Sequence, residues 1–134
     1  MTFTHAVLPW LFFAAATASS SAVLLVCRLD ALTASEQERH RLLSDTLQRA
    51  AVATTELPGG YDITLDLTRV PGGAARSRPV VQLADWVDLE SRCCPFLDFE
   101  IRMSGQGGRA VLRLTGGDNV KAFLQTEFSL LSRR

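Results

Sequence analysis

The chain has 134 residues, room for one domain with a modest core and not for two. Its 14 Lys and Arg offset 14 Asp and Glu without any basic stripe, which excludes an electrostatic case for nucleic acid. Its 3 cysteines are an odd number, so a small scaffold stapled entirely by disulfides is excluded as well.

The N-terminus is strongly apolar. From Met1 to Cys27 there is no Asp, Glu, Lys or Arg, and the run HAVLPWLFFAAATASSSAVLLV is long enough to span a bilayer as one helix. Pro9 and the TASSS patch interrupt it. Ala16-Thr17-Ala18 supplies an A-x-A pattern that reads as a secretory cleavage site, although a basic region before the apolar stretch is missing. Residues 1–21 are expected to form an apolar leader, a signal peptide or membrane segment, and residues 22–134 a single α+β domain. Membrane association would run through residues 6–26. Export or tethering stands beside a cytoplasmic location.

Beyond the leader, AVLLVCRL (22–29) is an apolar, β-branched run expected to be a buried strand. TASEQERHRLLSDTLQRAAV follows, where Thr33 and Glu36 form a capping box. His40, Leu43, Leu47, Ala50 and Ala51 fall on one face of the predicted helix. ELPGGYD is turn chemistry. It leads into a strand in which Tyr61, Ile63, Leu65 and Leu67 alternate with Asp62, Thr64 and Asp66. VPGGAARSRP reads as a surface loop.

A second helix is predicted from about Pro79 to Cys94, with Leu83, Trp86, Val87 and Glu90 on its inner face. Pro95 disfavours helical geometry at Cys94 and ends it. Leu97, Phe99, Ile101 and Met103 alternate with polar residues in the next strand, SGQGG turns the chain, and RAVLRL returns as a hairpin. TGGDN then opens a last helix with Val120, Phe123, Leu124, Phe128 and Leu131 inward. The predicted order is β-α-β-α-β-β-α, a two-layer α+β sandwich with a mostly antiparallel sheet and helices on one face.

The candidate site lies where the second helix ends. Glu90, Cys93 and Cys94 stand at i, i+3 and i+4 and share a face. Continuing the stripe Leu83–Trp86–Val87 by one turn lands on Glu90, so a carboxylate occupies a position where an apolar residue is expected. A buried carboxylate costs several kcal/mol unless it is paired, hydrogen-bonded or metal-bound. Arg28, Arg92 and Arg109 are candidate partners. Cys27, two residues before the end of the predicted first strand, and His40, two turns into the first helix, both lie roughly 10 Å from the connection between them and so come level. Cys27, His40, Glu90, Cys93 and Cys94 together offer three sulfurs, an imidazole and a carboxylate, a set suited to zinc, copper(I) or heavier thiophilic ions. Cysteine is also a frequent small core residue. The negative end of a helix disfavours thiolate, which counts against a strongly activated nucleophile.

The segments CRLDALTASEQERH, ELPGGYDITLDL, LADWVDLESRCCPFLDFEI and LRLTGGDNVKAFLQTEF resemble a group of small bacterial proteins of uncharacterised function. Their pattern includes C-x-L, a helix with an E-R-H-like end, and E-x-x-C-C-x-F-x-x-F. The resemblance covers about residues 26–128 and corresponds here to Cys27, Arg39, His40, Glu90, Cys93, Cys94, Phe96 and Phe99. It implies a domain and a candidate site rather than a reaction. The chain departs from the group's G-P-E/D-G at TGGDNV, which touches only a helix start.

Three function classes follow from these residues. The first is a thiol-based metal-binding or metal-handling protein that takes a heavy or other thiophilic ion. The second is a non-catalytic interaction domain with structural cysteines, its protein partner unknown. The third is a thiol-redox protein, which would have to work without C-x-x-C or an activating helix N-terminus. No Ser-His-Asp order, phosphate loop or H-E-x-x-H signature points to other catalysis.

Overall fold

A capping box opens the first helix. The Thr33 hydroxyl accepts from the Glu36 N–H at 3.3 Å, and the Glu36 carboxylate accepts from the Thr33 N–H at 2.9 Å. From there α1 runs Ala34–Ala50 and buries Leu43, Leu47 and Ala50. The structure, a computed structural model, describes residues 25–71, 78–103, 105 and 108–128. The predicted leader, its cleavage motif and Leu131 lie outside these. Among the described residues no helix is long and apolar enough to cross a membrane.

Two hairpins supply the sheet. Strands β1 (Ala51–Leu57) and β2 (Gly60–Asp66) pair antiparallel across the Pro58-Gly59 turn. After the second helix, α2 (Pro79–Cys93), strands β3 (Leu97–Met103) and β4 (Arg109–Gly116) do the same. The sheet order is β1-β2-β4-β3, so the hairpins meet along β2 and β4, also antiparallel. At that seam Gly60 has no substitute. A Cβ there would stand 1.9 Å from the Leu114 carbonyl oxygen. The last helix, α3 (Val120–Glu127), follows Asn119, which takes the left-handed conformation at φ 69°.

Among the described residues, all three helices pack on one face of the sheet and the other is open. Tyr61 opposes Leu114, Ile63 opposes Leu112 and Leu65 opposes Ala110, and all six are buried. Phe99 and Ile101 extend the same rows from β3 and are half-buried. Leu47, Leu83, Trp86, Val120 and Leu124 complete this core from the three helices, each at most 1% exposed. On the open face Asp62 accepts from Arg113 Nε at 2.8 Å and from Arg102 Nη2 at 2.7 Å. An antiparallel sheet with one packed and one solvated face is what the strand alternation predicts.

The predicted α+β class holds, but the element order differs at its start. Residues 25–28 have no regular structure and Leu29–Ala31 form a 3-10 turn, so the described part of the predicted strand at 22–29 is not a strand. Val26 and Leu29 are 58% and 49% exposed, where a buried strand would hide them. The missing strand is β1, which begins where α1 was expected to continue through Ala51 and Val52. The order is therefore α-β-β-α-β-β-α. In outline each half of the domain is a helix followed by a hairpin, with α3 added at the end.

Candidate thiol and carboxylate site

Helical spacing aims Glu90 and Cys93 into the core from the last turn of α2, where they are 3% and 0% exposed. Cys94 is the C-cap. Its φ of −121° and ψ of 68° are non-helical, as expected before Pro95, and its N–H donates to the Glu90 carbonyl at 2.7 Å. The cap turns Cys94 inward as well, so both adjacent cysteines are fully buried.

The segment before α1 comes to this helix end. The Arg28 N–H donates to the Cys93 carbonyl at 2.7 Å, which places Cys27 beside Cys94. Cys27 and Cys94 form a disulfide with a Cα–Cα distance of 4.7 Å, within the usual span for such a bond. Cys93 keeps a free thiol. Its sulfur lies 4.0 Å from that of Cys94 and 3.5 Å from the Glu90 carbonyl oxygen. Burial pushes the Cys93 thiol up to about 12, and the neighbouring Glu90 charge adds to the effect. Cys93 is thus held as a protonated thiol and is no nucleophile at neutral pH.

Glu90 is satisfied by an imidazole rather than an arginine. One carboxylate oxygen is hydrogen-bonded to His40 Nε2, and the other lies 3.8 Å from Cys27 Sγ. None of the arginines expected as partners pairs with it: Arg92 pairs with Glu36 and Asp88, Arg28 with Asp30, and Arg109 stands opposite Asp66 across the β2–β4 pairing. His40 is fixed in turn by its surroundings. Its ring stacks on Trp86 at 6.3 Å between centroids, the Trp86 indole N–H donates to Ser44 Oγ at 2.9 Å, and the Ser44 hydroxyl donates to the His40 carbonyl at 2.8 Å.

All five predicted site residues therefore meet at one place. Cys27, Glu90, Cys93 and Cys94 each bring one donor atom to within 4.8 Å of the others, and His40 reaches the group through Glu90. The pairing of Cys27 with Cys94 was not foreseen. Neither was Ser44, whose signal is a hydroxyl one turn after His40 on the same helical face. Cys27, His40, Glu90 and Cys93, but not Cys94, line a cavity of ≈ 530 Å³ together with Leu25, Trp86, Phe123 and Phe128.

Chemically the arrangement has two states. Oxidised, it is a covalent stitch between the chain before α1 and the end of α2. Reduced, it is three thiols and a carboxylate around one point. Comparisons with family models, with curated proteins and with solved structures find no match, so the reading of this site rests on its own chemistry.

Proposed function

We propose that the reduced protein binds a thiophilic metal ion, zinc, copper(I) or a heavier soft ion, through Cys27, Cys93 and Cys94 with Glu90 as the fourth donor. The observation that carries this is the convergence of those donor atoms within 4.8 Å of one another. Sulfurs bound about 2.3 Å from a tetrahedral ion stand roughly 3.8 Å apart, so Cys93, 4.0 Å from Cys94, is already near that spacing, while Cys27 and Cys94 must separate once their bond is reduced. Reduction comes first. A dithiol R(SH)2 converts Cys27–S–S–Cys94 to two thiols and becomes the cyclic disulfide, which balances two electrons and two protons. The bound cation then displaces the thiol protons, a step that the buried, neutral Cys93 cannot take by itself. Glu90 supplies a negative ligand, and His40 orients it from outside the coordination sphere. The resemblance to small bacterial proteins with E-x-x-C-C belongs to this proposal, since Cys27, His40, Glu90, Cys93 and Cys94 are positions of that pattern.

A thiol-disulfide exchange protein is the second reading, favoured by the Cys27–Cys94 bond with a third sulfur 4.0 Å from Cys94. It is weaker for two reasons. Cys93 is protonated at neutral pH, and its attack on Cys94 would produce a disulfide between adjacent residues, which carries strain. Cadmium titration of the reduced, metal-free protein separates these readings. The expected result is stoichiometric growth of the thiolate-to-cadmium absorption band, weakened in Cys93→Ser and in Glu90→Gln. Absence of binding in the reduced protein refutes the metal reading and leaves an interaction domain with structural cysteines, or an exchange protein if the disulfide turns over with a dithiol.

A further inference from the structure

A bare ion held by three sulfurs and a carboxylate completes its own coordination sphere and has no use for a large apolar space beside it. Yet the cluster opens on a cavity of ≈ 530 Å³, a size in the range that organic ligands occupy. Three aromatic rings wall it, with Phe128 in edge-to-face contact with each of the other two. Phe128 lies 6.1 Å from Trp86 and 6.1 Å from Phe123, centroid to centroid. The waters of a hydrated ion would face these rings with few polar partners, because the groups nearby are already engaged. Ser44 is bonded to Trp86 and to the His40 carbonyl, and the His40 ring is bonded to Glu90. The exposed Glu127 on the lining adds negative charge, which favours a cation entering.

From this geometry we propose that the ligand is a soft metal or metalloid cation carrying an apolar organic substituent, an alkyl- or aryl-metal ion, with the metal on the sulfurs and the substituent among Trp86, Phe123 and Phe128. The proposal rests on the thiol-binding reading above and adds the class of ligand. Cys27 is the entry sulfur. It is half-buried and lines the cavity, whereas Cys94 is fully buried and does not. In the reduced protein the step is R–M⁺ + HS–Cys27 → R–M–S–Cys27 + H⁺. One metal–sulfur bond forms, one S–H bond breaks, and the metal keeps its charge balance through the thiolate. The Glu90 oxygen 3.8 Å from Cys27 Sγ, linked on to His40, gives the released proton a polar exit. Cys93 and Cys94 then compete for the remaining coordination positions.

The test uses the full reduced chain, freed of reductant, with phenylmercury(II), methylmercury(II) and cadmium as probes. Each organomercurial is measured in competition with free 2-mercaptoethanol, so that intrinsic metal–sulfur affinity cancels. Phenylmercury is expected to be preferred over methylmercury by about tenfold or more, the return for burying a ring-sized apolar group. Leu29→Trp, which places a ring at a 49% exposed position on the lining, should reduce that preference to about threefold or less. Phe128→Ala should do the same by removing a wall. Two variants are needed because Phe128 also packs on Trp86 and Phe123, whereas Leu29 is exposed and tolerates change. Tight cadmium binding without a phenyl preference overturns this proposal and leaves the thiol-binding reading standing. A preference that survives in both variants also overturns it, since the ring would then be seated elsewhere. Failure of all three probes to bind overturns both.

Discussion

Reducing the Cys27–Cys94 disulfide is the perturbation with the most calculable result. The bond closes a loop with a sequence separation of 67, which contains α1, the first hairpin and α2. The chain-entropy relation for a loop of that length gives about 4 kcal/mol of stabilisation, carried by the unfolded chain. For a domain of this size the loss corresponds to a fall in Tm of roughly 10–20 °C. The assay is thermal unfolding of the wild type and of Cys27→Ser, each with and without a dithiol. The wild type should drop on reduction to near the level of the variant, and the variant itself should not respond. If the metal reading is right, cadmium added to the reduced wild type recovers part of the loss, because an ion bound to Cys27 and Cys94 closes the same loop. A wild-type Tm indifferent to reductant would refute the reasoning at its root. It would mean that the stitch is absent or that the loop is already closed by the surrounding packing.

Further predictions concern single groups. Glu90→Gln and His40→Gln should each cost about 1–3 kcal/mol by leaving a buried partner unsatisfied, and the double variant should cost clearly less than the sum; additive losses in a double-mutant cycle would sink the pairing. Cys93 should resist iodoacetamide at pH 8 in the folded protein and react once it unfolds, as read by intact mass. Because its folded pKa is raised, Cys93 favours the folded state fully below the ordinary thiol value of 9.0 and loses that contribution as pH rises toward about 12; Cys93→Ala should flatten the alkaline limb of a stability profile. On the open sheet face, the hydrogen bonds from Arg113 hold the Asp62 carboxyl below the usual carboxylate range. Its contribution is present above the ordinary carboxylate pKa and is lost as pH falls through the lowered one, so the advantage of wild type over Asp62→Asn, about 1 kcal/mol near neutrality, should shrink below about pH 4.

Elements with two agreeing signals were legible in the sequence. The capping box fixed the start of α1, and Pro79 with Pro95 bracketed α2 to within a residue. Alternation located β2, β3 and β4. Strand β1 carried no such signal because almost none of it packs on the core. Only Ala51 in it is buried, the register slips between Ala51 and Ala53, and alanines and threonines leave no apolar stripe to read. The run at 22–29 misled in the opposite direction. An apolar run reads alike whether it pairs in a sheet or lies against a cavity wall, and Leu25 and Cys27 do the latter. The convergence of Glu90 and Cys93 followed from helical spacing alone. That of Cys27 and His40 was reached from strand and helix rises, although the strand itself is replaced by a 3-10 turn. No residue count could reveal the bond between Cys27 and Cys94, because connectivity depends on which two β-carbons the fold brings together.

The split of the sheet into two hairpins has a consequence for how the chain folds. Within each hairpin the partners are close in sequence, as in Leu57 with Gly60, whereas the β2–β4 seam joins Gly60 to Thr115 and Asp66 to Arg109. Local pairing of this kind forms in about 1–10 μs, while joining segments this far apart must first overcome the entropy of closing a long loop. The two halves can therefore gain structure separately, and their docking along β2 and β4 should limit the folding rate. Cys27 lies in one half and Cys94 in the other. Once oxidised, their bond raises the effective concentration of each half for the other, and refolding from the oxidised denatured state should be faster than from the reduced one.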